Sequence, residues 1–225
     1  MRTSAFTAIR YDLNAVMRHD PAAKSKLEAA LCYSGFHALV MYRFFHFLYV
    51  HRYFLLARFL SALTRFFTGI EIHPGAVIGK GVFIDHGAGV VIGETAVVGD
   101  NVVIYQGVTL GGTGKDKGKR HPTVENDVVV CSGAKVLGPF TVGRGAKIGS
   151  GSIVLGEVPP HATVVGVPGR IVRIAGKRID ELDQTLPDPV NDEITALTER
   201  VDGLERLLAN IIKENGDFSL ADTEQ

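Results

Sequence analysis

Tryptophan is absent from the 225 residues, and cysteine occurs only at Cys32 and Cys131. Two cysteines so far apart cannot build a disulfide framework and lack the spacing of a zinc knuckle. Net charge is also missing, since 24 Lys and Arg are balanced by 24 Asp and Glu. That balance excludes a surface that is basic throughout, so nucleic acid is not an expected partner. No long apolar run exists either. The aromatic-rich stretch from Phe36 to Phe67 is interrupted by Arg43, His46, His51, Arg52, Arg58 and Arg65, and no membrane span is expected. Residues Met1 to Asp20 hold no continuous apolar segment of the secretory kind, which predicts a cytoplasmic protein. With 46% hydrophobic and 21% charged residues the chain is globular in composition.

What is present is unevenly placed. From Lys177 to Gln225 there are 5 basic and 13 acidic residues, leaving 19 and 11 for the rest. The front is therefore cationic and the tail anionic, which suits a body that attracts anions and a separate acidic appendage.

Residues 1–69 read as helical. Asp20-Pro21 has the form of an N-cap followed by a first-turn proline, and Phe36, Leu39, Val40, Arg43, Phe44, Phe47 and Leu48 recur at helical spacing. That stripe predicts helix–helix packing in a small bundle.

From Ile70 the period becomes six. Ile72, Ile78, Ile84 and Val90 form one series, and Ile92, Val98, Ile104 and Leu110 a second. A third runs Val124, Val130, Val136, Val142, Ile148 and Val154. Neither a helix nor a hairpin produces sixes over such a length. Three short strands per coil of about 18 residues do, with one aliphatic side chain per strand facing inward. The fold class expected is therefore α+β: an α-helical domain over 1–69, then a hexapeptide-repeat parallel β-helix over 70–172. The pattern slips by two residues between Val90 and Ile92. Between Leu110 and Val124 it carries an eight-residue insertion, predicting a protruding loop at 111–121.

Residues 173–225 read as an acidic linker, a helix over about 190–214 and a tail. Ile194, Val201 and Leu208 take heptad positions a, and Leu197, Leu204 and Ile211 take positions d. Self-association is favoured over docking of this helix on its own domain.

Two histidines stand out. His86 follows Asp85, and His121 follows Arg120 at the end of the insertion, 35 residues later. That separation is close to two coils, so the pair is expected to approach on one wall, where a histidine serves well as a general base. Glu71, fifteen residues before His86, offers a carboxylate to orient its ring. Lys115, Lys117, Lys119 and Arg120 make the glycine-rich loop basic, which suits a phosphate-bearing ligand equally with a solvated loop. Cys131, in the run Val128-Val129-Val130, reads as a buried packing residue rather than a nucleophile.

Several runs go beyond generic repeats: Glu71-Ile72-His73-Pro74-Gly75-Ala76, Ile84-Asp85-His86, Val91-Ile92-Gly93-Glu94-Thr95-Ala96, Gln106 to Lys115, and Arg120-His121-Pro122. With Asp20-Pro21-Ala22, Phe36-His37-Ala38-Leu39 and Tyr42-Arg43, they resemble the serine O-acetyltransferase family over about residues 18–172. The resemblance implies a left-handed β-helix, a homotrimer with sites between subunits, and transfer of acetyl from acetyl-CoA to the L-serine hydroxyl in cysteine biosynthesis. It makes His86 the general base and Glu71, where many members have Asp, its orienting carboxylate. It gives Asp20 and Asp85 the serine amino group, and Arg120 and His121 the carboxylate. Gly112, Ser132 and Ser150, with neighbouring Gly133 and Gly151, would meet the pantetheine arm. No metal is implied, and L-cysteine is implied as a feedback inhibitor. A hexamer, which enteric members build with a longer helical region, is not implied by the 69 residues here. Gln225 stands where members that bind O-acetylserine sulfhydrylase present Ile, so that complex is not expected.

Other readings remain at this stage. A sugar O-acetyltransferase would keep His86 and need neither Asp20 nor the Arg120-His121 pair. A β-helical zinc carbonic anhydrase would use His73, His86 and His121 as ligands.

Overall fold

The computed structural model describes residues 5–114, 117–174 and 189–219. Lys115 and Asp116 of the basic loop, Pro187 of the linker and the terminal Gln225 lie outside the described residues. The chain divides into two units, Met1–Pro187 and Asp188–Gln225.

Four helices open the first unit: α1 (Ala5–His19), α2 (Lys26–Cys32), α3 (Ser34–Val50) and α4 (Phe54–Thr68). Asp20-Pro21 is not the helix start that its composition suggests. Asp20 Oδ1 accepts from the Ala22 N–H at 2.8 Å, and this local turn spends the carboxylate that would cap a helix. The cap falls to Ser25, whose hydroxyl accepts from the Glu28 N–H at 3.1 Å, while Glu28 accepts in return from the Lys24 N–H at 2.9 Å.

The aromatic stripe of α3 also differs from expectation. Phe36, Leu39, Tyr42 and Phe45 are buried, whereas Phe44 and Phe47 are exposed. The reason is what α3 packs against: Leu39, Tyr42 and Phe45 join the core of the β-helix, and Tyr42 OH donates to the Ala76 carbonyl at 2.6 Å. A second tie is ionic. Arg43 pairs with buried Asp12 of α1 at 2.9 Å and donates to the Ile78 carbonyl at 2.6 Å, while Asp12 accepts from the Val82 N–H at 3.1 Å. Burial raises the Asp12 pKa and the Arg43 guanidinium opposes that shift.

The β-helix has three walls of stacked, mostly two-residue strands. The first stacks Glu71–Ile72, Val91–Ile92, Thr109–Gly111, Lys135–Leu137 and Ile153–Val154. The second stacks Val77–Ile78, Val97–Val98, Thr123–Val124 and Thr141–Val142. The third stacks Phe83–Ile84, Val103–Ile104, Val129–Val130, Lys147–Ile148 and Ala162–Val165, closed by antiparallel Arg170–Ile174. Parallel registers such as Ile72↔Ile92↔Leu110 place one aliphatic residue of each strand inside. Ile92, Ile104, Leu110 and Ile148 are fully buried, each contributing about 1.5–3 kcal/mol. Helices α1 and α2 cover the outer face of the third wall, over Phe83, Val103, Tyr105, Val129 and Cys131. Cys131 is thus a packing residue, and burial raises its thiol pKa.

Both irregularities of the sixes become structure. The two extra residues form the long corner between Ile84 and Val91, where His86, Gly87 and Gly89 have φ of 56°, 62° and 73°. The eight-residue insertion forms the loop after Gly111, at the corner joining the first and second walls.

The second unit is α5 (Pro189–Ser219). Its Ile194, Leu197, Val201, Leu204, Leu208 and Ile211 are all exposed. No helix among the described residues is long and apolar enough to cross a membrane.

Candidate active site

Two groups of functional side chains form, on two edges of the prism either side of the first wall. The first gathers at the long corner. Tyr33, between α2 and α3, donates from its hydroxyl to Asp20 Oδ2. Asp20 in turn bears on Asp85, whose pKa is raised first by burial and further by the Asp20 charge. His86 follows, its Nε2 3.8 Å from Asp85 Oδ2 and its side chain 76% exposed. Two carboxylates, one of them reluctant to ionise, make a seat for a cation. The bond to Asp20 pushes the Tyr33 phenol up to about 12, so it stays a donor.

Above His86 the same edge rises coil by coil. Gly107 N–H donates to the Ala88 carbonyl at 2.9 Å, Gly133 N–H to Gln106 at 2.8 Å and Gly151 N–H to Ser132 at 2.8 Å. Ser132, Gly133, Ser150 and Gly151 therefore stack over the histidine. Gly133 has φ of 71°, and a Cβ built on it would lie 4.0 Å from Gly151 Cα. Gly107, Gly133 and Gly151 thin this edge, and Ser132 Oγ donates to Gln106 Oε1 at 3.2 Å on it, leaving a narrow lane against which an extended chain of atoms can lie.

The second group surrounds the inserted loop. The Arg120 guanidinium is bonded to the Glu94 carboxylate, which also accepts from Tyr49 OH at 3.0 Å. The bond from Arg120 is the main reason the Glu94 pKa is lowered. His121 Nδ1 faces Thr95, and burial with the Arg120 charge lowers the His121 pKa. A Cβ at Gly93 would stand 2.0 Å from the His121 ring, so only glycine leaves room for it. Gly112 borders the same residues, its Cβ position 3.0 Å from the Arg120 carbonyl oxygen. His73 lies close by with its Nδ1 accepting from the Gly75 N–H at 2.9 Å, and burial lowers its pKa to about 4.

Among the described residues no hydrogen bond or ion pair joins the two groups. Three residues of extended chain, about 10 Å, separate Val90 from Gly93. The expected approach of His86 to His121 is therefore not met within one chain. The coils through this region measure 20 and 26 residues, so 35 is not a whole number of turns and lands on another edge. Glu71 does not meet His86 in the chain either: its carboxylate pairs with Arg65 at 3.0 Å. Gly112 is separated in the same way from Ser132, Gly133, Ser150 and Gly151. The three histidines of the zinc reading are likewise divided, His73 and His121 on one edge and His86 on the other.

Tyr33, Tyr49, Glu94 and Thr95 are members of the two groups that residue-type reasoning left without a role. For Glu94 and Thr95 a signal existed. Each lies 26 residues before Arg120 and His121 respectively, one coil of 18 plus the insertion of eight.

The family description "Serine acetyltransferase, N-terminal" matches residues 2–40. A serine acetyltransferase of Bacillus pumilus is 53% identical over 211 residues, covering 93% of this chain and 97% of that protein. The crystal structure of the Vibrio cholerae serine acetyltransferase aligns with a TM-score of 0.79 at 44% identity, covering 81% of this chain and 71% of that one. The Neisseria gonorrhoeae serine acetyltransferase in complex with serine gives 0.72 at 42%, over 74% of this chain and 68% of that one. The Brucella abortus serine acetyltransferase in complex with coenzyme A gives 0.73 at 45%, over 75% and 68%. Shared identity above one half across nearly the whole length, on the same helical and β-helical framework, decides the matter, and the chain belongs to the serine acetyltransferase family.

Proposed function

We propose that this chain transfers acetyl from acetyl-CoA to the hydroxyl of L-serine, giving O-acetyl-L-serine for cysteine biosynthesis, at sites completed by a neighbouring copy. The supporting observation is the division of the site residues between two edges. A zwitterionic amino acid needs anions at one end and a cation at the other: Asp20 and Asp85 lie with His86, while Arg120, held by Glu94, lies with His121 on the loop edge. A closed ring of copies that sets the His86 edge of one against the loop edge of the next brings both ends together, and a homotrimer does this with three equivalent sites.

In this reading Asp20 and Asp85 hold the serine ammonium while Arg120 and His121 of the adjoining copy hold its carboxylate. The hydroxyl is left facing His86. His86 takes the hydroxyl proton as the oxygen bonds to the thioester carbonyl carbon, and gives it to the CoA sulfur as the carbon–sulfur bond breaks. Atoms balance without an acyl-enzyme. The pantetheine arm lies along the lane of Ser132, Gly133, Ser150 and Gly151, and Gly112 closes on it from the loop edge. An orienting role for Glu71 would need its carboxylate to release Arg65, with which it pairs at 3.0 Å. L-cysteine offers the same ammonium and carboxylate with sulfur for oxygen, and so competes for these residues as an inhibitor. A thiol product and an exposed free Cys32 suit a reducing compartment, the cytoplasm.

Mixing separates this reading from a site held in one chain. His86→Ala and Arg120→Ala chains are each expected to be nearly inactive. Refolded together at equal amounts they should regain about a quarter of wild-type activity, because one junction in four joins two intact edges. No recovery above the separate variants would overturn the shared site.

A further inference from the structure

The ring of His121 is gripped by one residue, Thr95. The Thr95 backbone N–H donates to His121 Nδ1 at 3.2 Å, and Thr95 Oγ1 lies 2.9 Å from the same nitrogen. That hydroxyl oxygen already accepts from the backbone N–H of Arg120 at 3.0 Å and of His121 at 3.1 Å. With both lone pairs committed, its own hydrogen points to the remaining partner, His121 Nδ1. A ring nitrogen that receives an N–H and an O–H carries no proton, so the imidazole is the neutral tautomer with hydrogen on Nε2. The Thr95 carbonyl completes the arrangement by accepting from Lys119 Nζ at 2.8 Å. One side chain and its own peptide groups therefore anchor three consecutive loop residues.

The position of Nε2 adds a direction. It lies over Gly93 and 3.4 Å from the Cβ position of Gly112, with the Arg120 Cγ 3.1 Å from that same position. Beside it, Glu94 fixes the guanidinium of Arg120 as Thr95 fixes the ring of His121. Adjacent residues of one corner thus hold adjacent residues of the loop, one by the charged group and one by the tautomer.

We propose that Thr95 is a positioning residue for the carboxylate end of the amino-acid substrate: it locks His121 as an Nε2–H donor beside Arg120 and denies it the role of base. A carboxylate offers only acceptors, and a ring flipped or tautomerised to present a bare nitrogen repels it. The same lock divides labour between the site histidines, with His121 donating and His86, whose ring is exposed, left to move the proton. This rests on the reading above that Arg120 and His121 meet the substrate carboxylate.

The test uses the full chain with Thr95→Val, which keeps the shape and loses the hydroxyl, and Thr95→Ser, which keeps the hydroxyl. The Val variant should raise KM for L-serine about tenfold, the size of one hydrogen bond, with KM for acetyl-CoA within about twofold. The Ser variant should return most of that loss. Nitrogen-15 NMR of histidine-labelled wild type, without substrate, should show His121 protonated at Nε2 and bare at Nδ1 near neutral pH. A proton on Nδ1, equal rises in both KM values, or no recovery with Ser would each overturn the proposal. If the tautomer is as stated and Arg120→Ala leaves the serine KM unchanged, the carboxylate assignment fails instead, and with it the substrate half of the proposal.

Discussion

His86 sits where a hexapeptide coil has two residues too many, and that excess is what exposes it. In the regular corners one coil above, six residues carry the chain from Ile104 to Leu110, but eight carry it from Ile84 to Ile92. The longer corner turns through positive φ at His86 itself. Replacing His86 by Ala should lower kcat about 10²–10⁴-fold with little change in melting temperature, since an exposed ring contributes little packing. Retention of more than about a tenth of kcat in a stably folded variant would remove His86 from the role of base. Glu71→Gln should lose less than that, since the base remains. The loop edge makes a separate prediction about acid. His73 and His121 both have pKa values lowered by burial, His73 to about 4. An unfolded histidine titrates near 6.5, so below that pH the unfolded chain takes up protons that the folded one refuses. The contribution is neutral above pH 6.5 and stability is lost as pH falls from there toward 4. His73→Asn, whose side-chain oxygen can still accept from the Gly75 N–H, should flatten this part of the curve in urea unfolding between pH 7.5 and 5. An unchanged slope would show that burial of His73 is not its source.

At the scale of elements, the inserted loop is not a loose appendage. Its described end is seated on the corner Gly93-Glu94-Thr95, and the seat works because Gly93 has no side chain. Gly93→Ala should overpack this contact by about 1–3 kcal/mol and lower the melting temperature by several degrees. It should raise KM for L-serine more than for acetyl-CoA, because the displaced residue is His121. An alanine variant with wild-type stability and serine KM would mean the loop can leave its seat freely. The helices act as elements in a different way. Asp12 and Arg43 pin α1 and α3 to the coil, so the turn after α1 delivers Asp20, and the start of α3 delivers Tyr33, to the corner that holds Asp85 and His86.

At the scale of the whole molecule, the proposed shared site would make the chain depend on its copies, and α5 offers a second surface by which they could be held. Its a and d residues are exposed, and Arg200 at g and Glu205 at e flank the seam. Ile194 with Leu197 and Val201 with Leu204 lean toward two strands, while Leu208 with Ile211 leans toward more. In the proposed homotrimer, tethering of three copies would raise the effective concentration of these helices and favour a three-stranded seam. Truncation after Arg178 should leave a protein that still turns over but melts lower and dissociates at a higher protein concentration in light scattering. An unchanged melting temperature and dissociation midpoint would make α5 an appendage with no part in assembly.

The period of six in the sequence determined the β-helix by itself, because only a coil of three short strands buries one aliphatic residue at each sixth position. Its two breaks marked the corner of His86 and the loop of Arg120 and His121 for the same reason: extra residues cannot enter a closed coil and must leave it at a corner. The separation of 26 between Thr95 and His121 was legible too, once the insertion is added to the coil. Other features needed the fold. Phe44 and Phe47 share their helix's apolar character with Phe45, and only the surface that α3 meets selects which rings are buried. Tyr33 carries no periodic signal, since its partner Asp20 is reached through a turn rather than along a helix. The division of the site between two edges was likewise decided by tertiary structure, because which corner a residue occupies depends on the summed lengths of all the coils beneath it.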